Sequence, residues 1–125
     1  MAGITVSGVT IDSAAPERLA AWWAEALGWR LDGCCCFAPG GGLQRLEFMA
    51  VPEAKRVKNR VHIDFGADDV QAAVDRLVAM GATVAWEEDF PPDLEYRNLV
   101  LRDPEGNEFC VGGRTSRPPA PPPAV

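Results

Sequence analysis

The sequence predicts an α+β fold built from two tandem βαβββ modules, and three observations carry the prediction. An apolar stripe at helical spacing occurs twice, over 19–27 and 70–78, and a glycine follows each, Gly28 and Gly81. Each stripe is preceded by a β-rich segment, ITVSGVTI (4–11) and VHIDF (61–65), and followed by two or three more. Short strings also correspond across the halves. Leu-Gly-Trp (27–29) matches Met-Gly-Ala (80–82), and Glu-Phe-Met-Ala-Val (47–51) matches Glu-Phe-Cys-Val (108–111). Duplication of one unit explains all three.

In module one (4–51), Pro16 suits the first turn of a helix whose buried face is Leu19, Trp22, Trp23, Ala26 and Leu27. WRLDGCCCF (29–37) and LQRLEFMAV (43–51) then read as strands, with Gly40, Gly41 and Gly42 turning between them. A linker, 52–60, leads to module two (61–112). There VHIDF is a strand, Asp68 or Asp69 caps a helix, and Val70, Ala73, Val74, Leu77 and Val78 form its buried face. ATVAW (82–86) and YRNLVLR (96–102) are strands around a loop holding Pro91 and Pro92. DPEGN (103–107) is a turn and EFCV (108–111) closes the module. The two modules make one domain, 1–112. The proline-rich remainder, 113–125, cannot join a sheet interior because proline lacks the amide donor, and it reads as a flexible, polyproline-like tail.

A net charge of −6 disfavours a nucleic-acid partner, which needs a basic face. No apolar run approaches the roughly 20 residues of a membrane span. The first residues lack the basic and apolar regions of a secretion signal, which makes the cytoplasm the expected compartment. The consecutive Cys34, Cys35 and Cys36 offer no Cys-x-x-Cys spacing and read as small apolar fillers. GGGLQRL lacks the lysine and spacing of a phosphate loop.

Strand parity sorts the remaining residues. Val9, Ile11, Leu46, Phe48, Val61, Ile63, Phe65, Phe109 and Val111 form an apolar face under the helices. The opposite face carries Thr10, Asp12, Arg45, Glu47, Met49, His62, Asp64, Glu108 and Cys110. His62 is the single histidine, and Asp64 stands two residues along on its face. These two are the expected catalytic pair, with imidazole moving a proton and carboxylate orienting it. Thr10, Arg45, Glu47, Met49, Trp86 and Cys110 are the expected ligand-binding residues, with Phe90 and Trp29 as further apolar walls. The basic run AKRVKNR reads as a solvated connection.

APERLAAWWAEALGW, KNRVHIDF, DRLVAMGA and RDPEGNEFCV together resemble the vicinal oxygen chelate superfamily, which holds glyoxalase I, extradiol dioxygenases and bleomycin-resistance proteins, and above all its glyoxalase-like domain proteins. The resemblance implies a curled, half-open barrel of mixed sheets with helices outside, and a homodimer. It also implies metal ligands on the first and last strands of each module. His62 matches one such position, Gly8 and Cys110 stand at two others, and the fourth falls on Glu47 or Met49, with internal symmetry, which sets Phe48 against Phe109, favouring Met49. With two ligands replaced, no metal or other cofactor is expected. A divalent ion held by His62, Glu47 and Cys110 is the alternative. The function expected is small-molecule binding in a metal-free cleft, with or without a reaction. A metal-dependent lyase, isomerase or dioxygenase, and a sequestering protein of the bleomycin-resistance type, are the alternatives.

Overall fold

The computed structural model describes residues 3–40 and 45–115. Gly41 and Gly42 of the expected turn, and the proline-rich stretch from Ser116 onward, lie outside the described residues. The chain divides into two compact units between Val57 and Lys58. In the first, β1 (Val9–Ser13) leads to α1 (Pro16–Leu27), then β2 (Arg30–Asp32), β3 (Cys35–Phe37) and β4 (Arg45–Ala50). In the second, β5 (Asp64–Gly66) leads to α2 (Val70–Ala79), then β6 (Thr83–Glu87), β7 (Tyr96–Arg102) and β8 (Glu108–Arg114). A short 3₁₀ turn, Pro92–Leu94, precedes β7. Each unit forms its own four-stranded mixed sheet, ordered β1-β4-β3-β2 and β5-β8-β7-β6. The two orders are the same permutation, with a parallel pair made by the first and last strand of each unit. The fold is therefore α+β with two tandem modules, and the repeat read in the sequence is a repeat in topology.

Local chemistry sets the element ends. Pro16 opens α1, and Gly28 closes it in the left-handed conformation, φ 67°, where glycine has no Cβ penalty. Asp69 caps α2 by accepting the Ala72 N–H at 3.0 Å. Gly33, at φ 62°, turns β2 into β3, so WRLDGCCCF is a hairpin and Cys34 sits at its corner. In the DPEGN turn, Asp103 Oδ1 accepts the N–H groups of Glu105 at 2.9 Å and Asn107 at 3.0 Å. That fixes the register in which β7 returns as β8.

Three expected faces are displaced. The buried residues of α1 are Leu19, Ala20, Trp23 and Ala24. Trp22, Ala26 and Leu27 are only half-buried, because the inward face of the helix is centred on Ala20 and Trp23 and these three lie at its margin. In α2 the buried row is Val70, Val74 and Leu77, and Val78 is exposed. Val61 is exposed as well: the ladder of β5 begins only at Asp64, so Val61 belongs to no sheet face. Parity holds in β4, where Leu46 and Phe48 are buried beneath α1. In β8, sandwiched between β5 and β7, both faces are buried: Phe109 and Val111 on one, Glu108 and Cys110 on the other. Glu108 therefore does not join a solvated rim. Its carboxylate accepts the Asn59 N–H at 3.4 Å, and the Asn59 side chain donates to its backbone carbonyl at 3.2 Å. The strand also runs to Arg114, past the residue where the tail was expected to begin.

Among the described residues, no helix is long and apolar enough to cross a membrane.

Candidate functional site

In module two the ladder sets Asp64 directly beside Cys110. His62 lies two residues before Asp64, just outside the strand. Its Nε2 stands 3.1 Å from Asp64 Oδ1, and both side chains remain open to solvent. One donor atom each from His62, Asp64 and Cys110 falls within 4.8 Å of the others. Cys110 is the buried member. Burial pushes its thiol above the ordinary value, a bond from Asn98 offsets part of this, and the Asp64 carboxylate and the charge of Glu88 push it further up. A thiol so placed stays protonated and is a hydrogen-bonding group for Asp64 rather than a nucleophile. Asn98 and Glu88 were absent from the sequence reading. Asn98 did carry a signal, as a lone polar residue inside the apolar period of YRNLVLR.

Module one presents a different cluster at the corresponding place. The helix N-caps are Ala15 and Asp69, and Gly8 and His62 each stand seven residues before them. Two residues on, Thr10 pairs with Glu47 as Asp64 pairs with Cys110. By ladder register, then, Glu47 is the counterpart of Cys110 and Phe48 that of Val111, so the match of Phe48 with Phe109, which favoured Met49, is out by two residues. Above Gly8 lies the side chain of Arg45. A Cβ added at Gly8 would sit 2.6 Å from Arg45 Cγ and 3.0 Å from Nε. The φ of Gly8 is not in the left-handed region, so glycine is required here for room and not for conformation. Arg45 Nη2 makes a loose ion pair with Glu47 Oε2 at 3.6 Å, and Thr10 Oγ1 reaches the same oxygen at 3.5 Å. Arg45 Nε is buried with no hydrogen-bond partner. Such an orphaned donor costs about 1–3 kcal/mol. Cys35, opposite Glu47 on β3, completes the cluster. Burial and Glu47 raise its pKa, and Arg45 draws it back down.

The remaining expected residues are placed as follows. Met49 is exposed on β4, paired with Asp12. Trp86 follows a bulge in β6, donates from Nε1 to Glu88 at 2.9 Å and has the Lys58 ammonium 5.7 Å from its ring centre. Phe90 packs edge-on against Tyr96, both largely exposed. Trp29 is half-buried. A cavity of about 350 Å³ opens at the start of α2, beside Asp68, Asp69, Gln71, Arg97 and Arg114. None of the expected site residues lines it. Arg97 is already held by Glu87 at 2.9 Å through two nitrogens and by Gln71 at 2.9 Å, and Asp69 is occupied as the cap. That cavity is a cleft between braced residues, away from the His62 chemistry.

The superfamily's metal positions fit this chain poorly as a set. Gly8 offers no donor and its space is filled by a guanidinium. Cys110 offers a buried, protonated sulfur where a hard oxygen would suit manganese or magnesium. The trio His62, Asp64 and Cys110 does fit one kind of ion. Nitrogen and oxygen donors, with a sulfur whose proton the ion itself would displace and an open fourth place, suit zinc, which would polarise a bound oxygen.

The sequence profile of the glyoxalase-like domain family matches residues 8–112. No curated protein matches the sequence. Solved structures do match in fold. A glyoxalase/bleomycin resistance protein/dioxygenase family enzyme from Burkholderia phytofirmans is 20% identical, with 87% of this chain and 98% of that one covered and a TM-score of 0.67. A mutant of the fosfomycin resistance protein FosX from Listeria monocytogenes, in complex with Mn(II) and 1S,2S-dihydroxypropylphosphonic acid, is 17% identical over 92% of this chain and 90% of that one, with a TM-score of 0.67. Lactoylglutathione lyase from Agrobacterium tumefaciens is 20% identical over 89% and 94%, with a TM-score of 0.58. The profile match over residues 8–112, which covers nearly all of both modules, places the chain in the glyoxalase-like domain family.

Proposed function

We propose that the chain binds a small molecule and that His62, held by Asp64, moves a proton on it without a resident metal. The observation that carries this reading is the 3.1 Å contact between His62 Nε2 and Asp64 Oδ1 beside an open face. The carboxylate fixes which imidazole nitrogen holds the proton and stabilises the imidazolium when it forms, leaving the ring free to give or take a proton. The thiol of Cys110 steadies Asp64 from beneath. Thr10, Arg45, Glu47 and Met49 on the polar face of module one, and Trp86 and Cys110 on module two, are the proposed ligand-binding residues.

A second reading has one specific observation in its favour, the 4.8 Å grouping of His62, Asp64 and Cys110. It makes the chain a zinc-dependent member of the same superfamily. Both readings meet in one experiment on protein purified without chelator. Metal analysis, mass spectrometry for a co-purified small molecule, and light scattering for the proposed homodimer are run on the same sample. The first reading expects sub-stoichiometric metal, and a His62→Gln protein that melts normally but turns over the identified substrate about 10²–10⁴-fold more slowly. Near-stoichiometric zinc that is lost in both His62→Ala and Cys110→Ala replaces it with the second. A His62→Gln protein in which ligand affinity alone changes, with no product ever formed, turns the reading into sequestration.

A further inference from the structure

We propose that Arg45, folded over Gly8, is an oxyanion-binding group: it receives a carboxylate, phosphate or phosphonate carried by the small-molecule ligand. The proposal deepens the small-molecule reading and rests on it for the existence of a ligand, but it concerns a different module and a different chemistry from His62.

Four observations converge on Arg45. First, the chain keeps a glycine at position 8 although the backbone there does not require one, and the space so created holds the arginine stem. Second, the guanidinium is under-used. Its five donors have one loose ionic contact among the described residues, Nη2 to Glu47 at 3.6 Å, longer than a hydrogen bond. Third, Nε is buried and unpartnered while the side chain as a whole is 43% exposed. The outer edge can therefore meet a ligand directly. A ligand that draws the guanidinium outward also frees Nε to make its missing bond, so the orphaned donor favours the lifted, liganded position. Fourth, the neighbours suit an exchange of anions. Among the described residues Glu47 is held by Arg45 at 3.6 Å and the Thr10 hydroxyl at 3.5 Å alone, and an incoming oxyanion displaces it from the same fork. A guanidinium fork binds carboxylate and phosphate groups through two parallel hydrogen bonds, which a single ammonium cannot do. In a chain of net charge −6, a cation placed on the polar sheet face beside a superfamily ligand position is a specific feature and not part of a basic surface.

The test is titration of the full chain with inorganic phosphate and, separately, acetate, at constant ionic strength, watching the arginine Nε–H resonances by nitrogen-15 NMR, with chloride as control. One Nε–H resonance, absent in Arg45→Gln, is expected to shift saturably, with an apparent Kd of about 1 mM for so small a probe. Saturation by acetate as well as phosphate assigns an oxyanion site that accepts carboxylates, and saturation by phosphate alone assigns a phosphate or phosphonate. Arg45→Lys is expected to bind about tenfold more weakly, because the fork is lost while the charge stays. Glu47→Gln is expected to bind several-fold more tightly, because the competing carboxylate is gone; this arm needs no loss of function and guards against a misfolded arginine variant. His62→Gln is expected to bind the probes as the parent does, so failure of the His62 reading leaves this one standing. Shifts that stay linear and equal to those in chloride, a saturable shift that survives in Arg45→Gln, or weaker binding in Glu47→Gln would each overturn the proposal.

Discussion

The two modules share a strand order and differ in what they place on the polar face. Where module two has His62, module one has Gly8. Where module two has Asp64 beside Cys110, module one has Thr10 beside Glu47. One face holds a histidine–carboxylate pair over a buried thiol, and the other holds a guanidinium laid across a glycine with its carboxylate loosely attached. A repeated scaffold keeps its buried residues alike, Leu46 and Phe48 against Phe109 and Val111, while the outward row of the same strands diverges residue by residue. The ladder transmits backbone position and leaves side-chain chemistry free.

The difference between room on a face and room in the backbone can be broken open with two glycines. A Cβ at Gly113 would collide with the backbone carbonyl oxygen of Ala67 and come within 3.2 Å of Val70 Cγ2, and neither can yield without moving α2 away from β8. Gly113→Ala is expected to lose about 3 kcal/mol. At Gly8 the nearest atom is Arg45 Cγ at 2.6 Å and the Arg45 backbone oxygen is no nearer than 3.0 Å, a milder clash, so Gly8→Ala is expected to lose about 1 kcal/mol while Arg45 swings off the face. Urea unfolding of both variants reads the contrast, and equal losses would erase it.

The helix starts differ on a smaller scale. Asp69 caps α2, whereas Ala15 at the same place gives α1 no side-chain cap. Asp69→Ala should cost about 1 kcal/mol and Ala15→Asp should gain about 0.5 kcal/mol, both visible as shifts in Tm. If Ala15→Asp destabilises, the Ser13 hydroxyl that accepts the Ala15 N–H at 3.0 Å is already the better arrangement.

A last contrast separates the two buried thiols by pH. Burial pushes Cys36, under α1, up to about 11 from an ordinary value of 9.0. Below pH 9 both folded and unfolded chains keep that proton. Above it the unfolded chain gives up its proton first, so stability falls until pH about 11, where the folded thiol ionises too. Cys110 is raised in the same direction. The slope of stability against pH in this window should flatten in Cys36→Ala, and flatten less in Cys110→Ala. A slope unchanged by Cys36→Ala would assign the alkaline loss to other groups.

Legibility followed the range of the interaction. YRNLVLR and β7 coincide over 96–102 because period two and the following DPEGN turn are written within a few residues. The caps at Pro16, Gly28 and Asp69 are equally local. His62 and Asp64 could be paired from i, i+2 spacing alone. The phase of α1 was missed because the inward face is centred on Leu19, Ala20, Trp23 and Ala24, and the two alanines on it give too weak a hydrophobic signal to set it against Trp22 and Leu27. The choice between Glu47 and Met49 needed the β1–β4 register, which no local pattern contains. Arg45 over Gly8 was invisible for a further reason: a long side chain can lie along its own strand or across to the next, and only the assembled sheet shows which.

The parallel pairing of first with last strand has a consequence for how each module comes into being. Among the described residues β1 has a single strand neighbour, β4, and β5 a single one, β8. Neither opening strand can find its partner until the chain has passed through a helix and two further strands. Closing so long an intervening stretch carries an entropic cost ahead of any ladder bond. The hairpins β2–β3 and β6–β7 can form from neighbours alone, so each module is expected to assemble from its middle outward. The polar clusters, which sit on the first and last strands, are the last parts of each half to take shape.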